Sequence, residues 1–385
     1  MLLTLFGKLI SEVMKSSGEK TKARMGPKPT LVGTVRIRTM DLGIYEKTKV
    51  SWKRSSMELP EAMHAIELFR AHGKLNALVD KNNPTFLKGQ LSPGGKVRGA
   101  RVNVLPDGRK LDKAFSLFAK HLTIHDESSN DHWDVLYQNP GGSFAHLYTL
   151  EKKSRFVRKK YREVEEFEKY YPMLRRKVLS ALRDRSDPMA VPMYTLLETC
   201  MRVGNEIYYR AHGHKGLTTL KKKDISVDGN TVTFNYLSKG GVPMNVSKEF
   251  PDVYVERLNE ILKPRKESDF VFVNEATGHP LSDVHFKEAF KRYCGREFYP
   301  HIVRSYYATE KANEFLRSHR TASRKEVLEF FRSVAMELGH KRFIKKKGVW
   351  KESYNITIHY YIQPKVLDKL NSLPNKCMAA GMGGG

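Results

Sequence analysis

A chain of 385 residues with a formal net charge of +26 has room for two domains and an ample core, with more lysine and arginine than a solvated surface needs. That balance asks for a polyanionic partner, either the substrate of an enzyme or the target of a ribosomal or chromatin-type binder. Cys200, Cys294 and Cys377 are scattered with no CxxC pair, which argues against a disulfide framework and a zinc site, and no apolar run approaches the about 18 residues of a membrane span.

Residues 1–29 read as a basic tail ending in KTKARMGPKP. Its LLTLFGKLI is broken by Lys8 and has no small-residue cleavage site after it, so the expected setting is intracellular and reducing. From Leu31 the pattern changes. Val35 and Ile37 alternate with Arg36 and Arg38, which predicts a strand with one basic face, lying on a phosphate backbone or simply solvated. Turn signals follow around Pro93 and Pro106, and residues 30–150 read as a small β-containing domain.

Near Glu151 the chain turns helical, and KYREVEEFEKYYPMLRRKVLSAL predicts a scaffold helix pair. Leu196, Leu197, Cys200, Met201, Val203, Ile207 and Tyr208 recur at helical spacing, which predicts one amphipathic helix with Arg202 beside its apolar stripe. Asp228-Gly229 marks a turn, and Val232, Phe234 and Tyr236 alternate with polar residues as in a half-buried strand. Lys239-Gly240-Gly241 ends that strand. A fixed arginine and a lysine at a hairpin tip together suit a phosphate.

Farther on, DVYVERLNEIL predicts a helix and DFVFVN a short strand. YPHIVRSYYATEKANEFLR predicts a helix with Ala308, Ala312, Phe315 and Leu316 facing inward. Ser323 to Glu326 forms a capping box for a helix that buries Val327, Leu328, Phe331, Val334 and Leu338 and stops at Gly339, leaving His340 just past its C-terminus. KRFIKKKGVWKES is basic and without clear pattern; YNITIHYYIQPKVLDKL follows, and a glycine-rich tail from 376 reads as disordered.

Phosphoryl transfer needs cations for the equatorial oxygens, an in-line nucleophile and a proton for the leaving oxygen. The sequence carries no aspartate cluster, no HExxH and no Walker A; GQLSPGGKV has the wrong glycine spacing and no Ser or Thr after Lys96. It offers Arg202, Lys239, Arg304, His340 and tyrosines near the C-terminus instead.

RVGNE, GLTTLKKKDI, the Lys239 hairpin, HIVRSYYA, ELGH and YIQPKV, in that order, resemble the type IB DNA topoisomerases, the small poxvirus-type and bacterial members above all. The likeness covers residues 150–370 well and the N-terminal region loosely. Tyrosine recombinases share the HxxR pattern, but RVGNE followed by GLTTL speaks for a topoisomerase. The resemblance implies an α+β protein: a small β-containing N-terminal clamp domain and a mostly helical catalytic domain, 151–375, with a small antiparallel sheet. It implies that Arg202, Arg304 and His340 hold the scissile phosphate and that Lys239 protonates the leaving 5′ oxygen. His301 would donate to the phosphate or orient it, and DNA contacts are also expected from Asn205, Thr218 and Thr219. A tyrosine attacks to give a 3′-phosphotyrosyl link. Tyr361, followed by Ile362-Gln363-Pro364, fits the family pattern; Tyr360 is one residue off and Tyr354 is a third candidate. The link from His340 to Tyr361 is longer than in the poxvirus enzymes. The implied partner is double-stranded DNA, handled by a monomer without cofactor, metal or nucleotide and away from membranes. The alternatives are a site-specific tyrosine recombinase and a non-catalytic basic DNA-binding protein.

Overall fold

Val35 and Ile37 are wholly apolar partners for a core, and in the computed structural model they sit in the middle strand of a sheet. The structure describes residues 30–125, 132–344 and 347–374; the expectations for the two tails fall outside them. The chain divides into two compact units, residues 1–157 and 158–385.

In the first unit, β1 (Val35–Ile37), β2 (Ile44–Lys47), β3 (Trp52–Arg54), β4 (Gln90–Leu91) and β5 (Val97–Arg98) form an antiparallel sheet in the order β3-β2-β1-β4-β5. β6 (Val102–Val104) pairs with β7 (Lys110–Phe115), and β8 (Lys120–Ile124), β9 (Val135–Gln138) and β10 (Phe144–Leu147) form a third sheet. The turns at Pro93 and Pro106 fall between β4 and β5 and between β6 and β7. Helix α1 (Pro60–Ala71) buries Ala62, Ala65, Ile66 and Phe69 in the same core as Ile37, Leu87 and Phe115.

The expected basic face of β1 is corrected at Arg36. Its Nη2 donates to Asp80 Oδ2 at 2.5 Å and to the Leu87 carbonyl at 3.2 Å, inside the core. A guanidinium can be buried there because the Asp80 carboxylate meets its charge, although its Nε finds no partner among the described residues. Arg38 lies over the Tyr45 ring at 4.1 Å.

The second unit holds most of α2 (Leu150–Ala181), then α3 (Ala190–Thr199), α4 (Glu206–His212), and a sheet of β11 (Ile225–Asp228), β12 (Thr231–Ser238) and β13 (Val242–Glu249). After it come α5 (Asp252–Leu262), α6 (Asp283–Cys294), α7 (Ile302–Ser318) and α8 (Arg324–Glu337). The hairpin β14 (Lys341–Ile344) and β15 (Val349–Glu352) and the helices α9 (Asn355–Tyr360) and α10 (Pro364–Asn371) complete it. The protein is α+β, as expected.

α2 is one helix where two were expected. Pro172 removes one hydrogen bond, yet Val164, Phe167, Leu174 and Val178 on both sides of it are buried in one core, which holds the two halves in line. β12 keeps the expected alternation, with Val232, Phe234 and Tyr236 inward. Asp269–Asn274 is not a strand. It makes isolated bridges, Lys221 with Phe270 and Val273 with Pro280, while Val271 and Phe272 fill the core. The basic run after His340 does have a pattern: Phe343 and Trp350 pair directly across the β14–β15 hairpin with ring centroids 5.3 Å apart.

Candidate active site

Arg202 is not on a helix. α3 ends at Thr199, Cys200 takes the left-handed cap conformation at φ 52°, and Gly204 at φ 99° bends the chain again before Asn205 caps α4. These stop and start signals outweigh the apolar periodicity, and Ile207 and Tyr208 end up 76% and 66% exposed. Met201 and Val203 stay in the core, so Arg202 is carried by a short loop anchored on both sides.

That loop is pinned by the GLTTL segment. Leu217 N donates to Arg202 O at 2.8 Å, and Thr218 donates to Val203 O from both its amide (2.7 Å) and its hydroxyl (2.9 Å). Thr219 Oγ1 accepts from Gly216 N at 2.9 Å. Thr218 and Thr219 are fully buried with their hydroxyls used in this way. In this structure the two threonines shape the Arg202 loop from within. Asn205 is exposed, with its Oδ1 accepting from the amides of Ile207 and Tyr208.

Gly216 is the tightest point of the support. A Cβ there would lie 2.5 Å from Arg202 O and 2.6 Å from Gly204 N. Gly216→Ala must push the loop outward, and a displacement of about 1 Å at a catalytic group can cost on the order of 100-fold. The expected result is a cleavage rate lowered to that extent with DNA affinity nearly unchanged. Single-turnover cleavage at parental rate would show that the loop yields without moving Arg202.

Arg304, in the first turn of α7, is buried. Its Nη1 donates to Cys200 O at 2.5 Å and its Nη2 to Leu338 O at 2.7 Å. Both acceptors are carbonyls at helix ends, one following α3 and one following α8, which helices leave without internal partners. Gly339, at φ 66°, then turns the chain so that His340 faces Arg304. His340 Nε2 accepts from Arg304 Nη2 at 3.2 Å, which assigns the ring proton to Nδ1, donating to Thr357 Oγ1 at 2.8 Å. Arg304 Nε is buried with no partner among the described residues.

Tyr361 follows α9 and is 4% exposed. Its hydroxyl lies 2.9 Å from His301 Nε2 and 3.4 Å from Arg202 Nη2, its ring 4.7 Å from that of His340. The backbone around it is held by Thr309, whose Oγ1 donates to Tyr361 O and accepts from Gln363 N. Tyr360 is 52% exposed, and the Tyr354 ring stacks on Phe331.

The electrostatics follow from crowding cations in a partly dry space. Burial works to raise the Tyr361 pKa, but Arg304 and Arg202 outweigh it, and the phenol ends below its ordinary value. Burial, and then the arginines, push His301 and His340 down to about 3, so both imidazoles are neutral near pH 7. Lys239 stands exposed at the β12–β13 tip beside Gly240 and Gly241, and its charge is among those acting on His301. Of the residues expected at the site, Arg202, His301, Arg304, His340 and Tyr361 converge; Lys239 is on the adjoining hairpin. Lys160, Thr309 and Thr357 also reach the cluster and carry no sequence motif.

A buried phenol ringed by guanidinium and imidazole groups is equipment for exchanging a phosphodiester for a phosphotyrosine bond. The model of the eukaryotic DNA topoisomerase I catalytic core matches residues 151–362, more than half of the chain, and the chain belongs to that family. It is similar to the DNA topoisomerase 1B of Acanthamoeba polyphaga mimivirus, 22% identical over 240 residues, which span 56% of this chain and 70% of the relative. Two solved structures of XerH site-specific recombinase match at 17% identity: a pre-cleavage complex with difH and a post-cleavage complex with palindromic difH. Their TM-scores are 0.32 and 0.31, over 54% and 52% of this chain. The chain spans about half the length of those recombinases, 50% and 51%. No helix among the described residues is long and apolar enough to cross a membrane.

Proposed function

We propose that the chain relaxes supercoiled duplex DNA by nicking one strand through Tyr361, allowing rotation, and resealing. The observation that carries this reading is the Tyr361 hydroxyl, set between His301 Nε2 and Arg202 Nη2. Its oxygen attacks the scissile phosphorus, passing its proton to neutral His301. The bond to the 5′ oxygen breaks, and that oxygen takes a proton from Lys239. Arg202 and Arg304 neutralise the non-bridging oxygens, and the unpartnered Nε–H of Arg304 has a donor to give. For His340 to donate from Nε2 it must gain a proton there, which an anionic phosphate favours.

The 3′-phosphotyrosyl link keeps the energy of the broken bond, so the free 5′ hydroxyl can reverse the step without nucleotide or metal. One copy of the chain acts alone in this reading, in whatever compartment holds its DNA, and the +26 charge serves the phosphate backbone. The test is plasmid relaxation by purified protein in EDTA without ATP. Relaxation is the expected result. An absolute requirement for Mg²⁺ would overturn the proposal, and efficient strand exchange between duplexes with little relaxation would favour a recombinase.

A further inference from the structure

Lys160, on α2, is a half-buried lysine that the proposed reaction does not use. Its Nζ donates to the backbone carbonyl of Tyr360 and lies 5.2 Å from the centroid of the Tyr361 ring and 5.1 Å from that of Tyr161. Five residues further along the same helix, Glu165 accepts from the side chain of Gln363. α2 thus grips the chain on both sides of Tyr361, at the residue before it and at the second residue after it.

We propose that Lys160 is a positioning residue for the nucleophile. Its ammonium holds the elbow between α9 and α10 through the Tyr360 carbonyl, and its charge over the Tyr361 ring favours the phenolate as the hydroxyl gives up its proton. Of the two grips, Lys160 alone brings a charge to the ring itself. The inference rests on Tyr361 being the nucleophile.

The two parts of the role come from one geometry. An ammonium over an aromatic face is attracted to the ring, more so when partly desolvated, and more again when the ring oxygen is negative. Burial lowers the Lys160 pKa and Tyr361 acts in the opposite direction, so the two charges are linked. The other charged or titratable groups around Tyr361 are the buried Tyr161 from α2, Arg202 from its loop, His301 just before α7, Arg304 in α7, and His340 beyond α8. Lys239 acts on His301 from the hairpin. Lys160 is the cation of this set contributed by α2, the helix that also fixes the backbone next to the reacting atom.

The experiment compares single-turnover adduct formation against pH for the parent protein, Lys160→Met and Lys160→Arg on the same duplex. Lys160→Met should slow the reaction about tenfold near neutral pH, and the rise of rate with pH should move to higher pH, because the phenol has lost a neighbouring cation. Lys160→Arg should recover most of the rate and return the profile towards the parent, and neither change should alter DNA affinity more than about threefold. A parental rate in Lys160→Met overturns the proposal. So does a loss equal at every pH that arginine does not rescue, which marks a structural prop, and so does a loss confined to DNA affinity, which marks a backbone contact. If Tyr361→Phe still formed adduct, the proposed function would fall first. A dead Tyr361→Phe beside an indifferent Lys160→Met removes this inference alone.

Discussion

Tyr361→Phe should bind duplex DNA and form no covalent adduct at all. Phenylalanine keeps the ring against His340 and beneath Lys160 and removes the oxygen that lies 2.9 Å from His301 Nε2. The fold should lose little, roughly 1 kcal/mol for the hydrogen bonds of one hydroxyl. What is lost is the attacking atom of the proposed reaction, for which no neighbour substitutes, so adduct resistant to denaturant should be absent from a gel while mobility-shift affinity survives. Tyr360→Phe should still form adduct, since the Tyr360 side chain is half exposed and only its carbonyl is engaged with Lys160. Loss of adduct in Tyr360→Phe or Tyr354→Phe alone would move the nucleophile and undo the register through YNITIHYYIQP.

The features legible in the sequence were those set by local chemistry. The alternation Val232, Phe234, Tyr236 gave β12, the Ser323–Glu326 box gave the start of α8, and Gly339 gave its end. Each signal is contained within a few residues, and the fold did not contradict it. The readings that went astray depended on distant partners. Periodicity from Leu196 to Tyr208 suggested one helix, but Cys200 ends α3 in a conformation that frees its carbonyl for Arg304, a residue far away in sequence. Arg36 looked like a surface cation because Asp80, which draws it into the core, lies 44 positions on. Thr218 and Thr219 belong to a recognisable motif, yet only the fold shows that their hydroxyls serve the backbone of the Arg202 loop and of Gly216. Lys160 was invisible for another reason. It sits in a run of lysines and arginines in which nothing local separates the residue that meets Tyr361 from those that meet water.

Lys239→Ala should slow cleavage of ordinary DNA by roughly 100- to 10,000-fold, the usual contribution of a positioned general acid, with DNA binding largely intact. The leaving 5′ oxygen departs as a strong base unless it is protonated. Lys239 is suited to supply the proton because it stands on an exposed turn where Gly240 and Gly241, at φ 77° and 74°, give the tip a shape that side chains disfavour. Replacing the bridging 5′ oxygen by sulfur gives a group that leaves as a thiolate and needs no proton. On that substrate Lys239→Ala should cleave almost as fast as the parent protein. Arg202→Ala supplies the contrast. Arg202 donates towards the Tyr361 oxygen and in the proposed reaction serves the phosphate charge, so its loss should slow both substrates alike. The difference between the two variants, measured as single-turnover rates on oxygen- and sulfur-bridged duplexes, separates a proton donor from a charge clamp. If sulfur fails to rescue Lys239→Ala, the lysine is a phosphate or backbone contact, and the proton must come from another group beside the leaving oxygen.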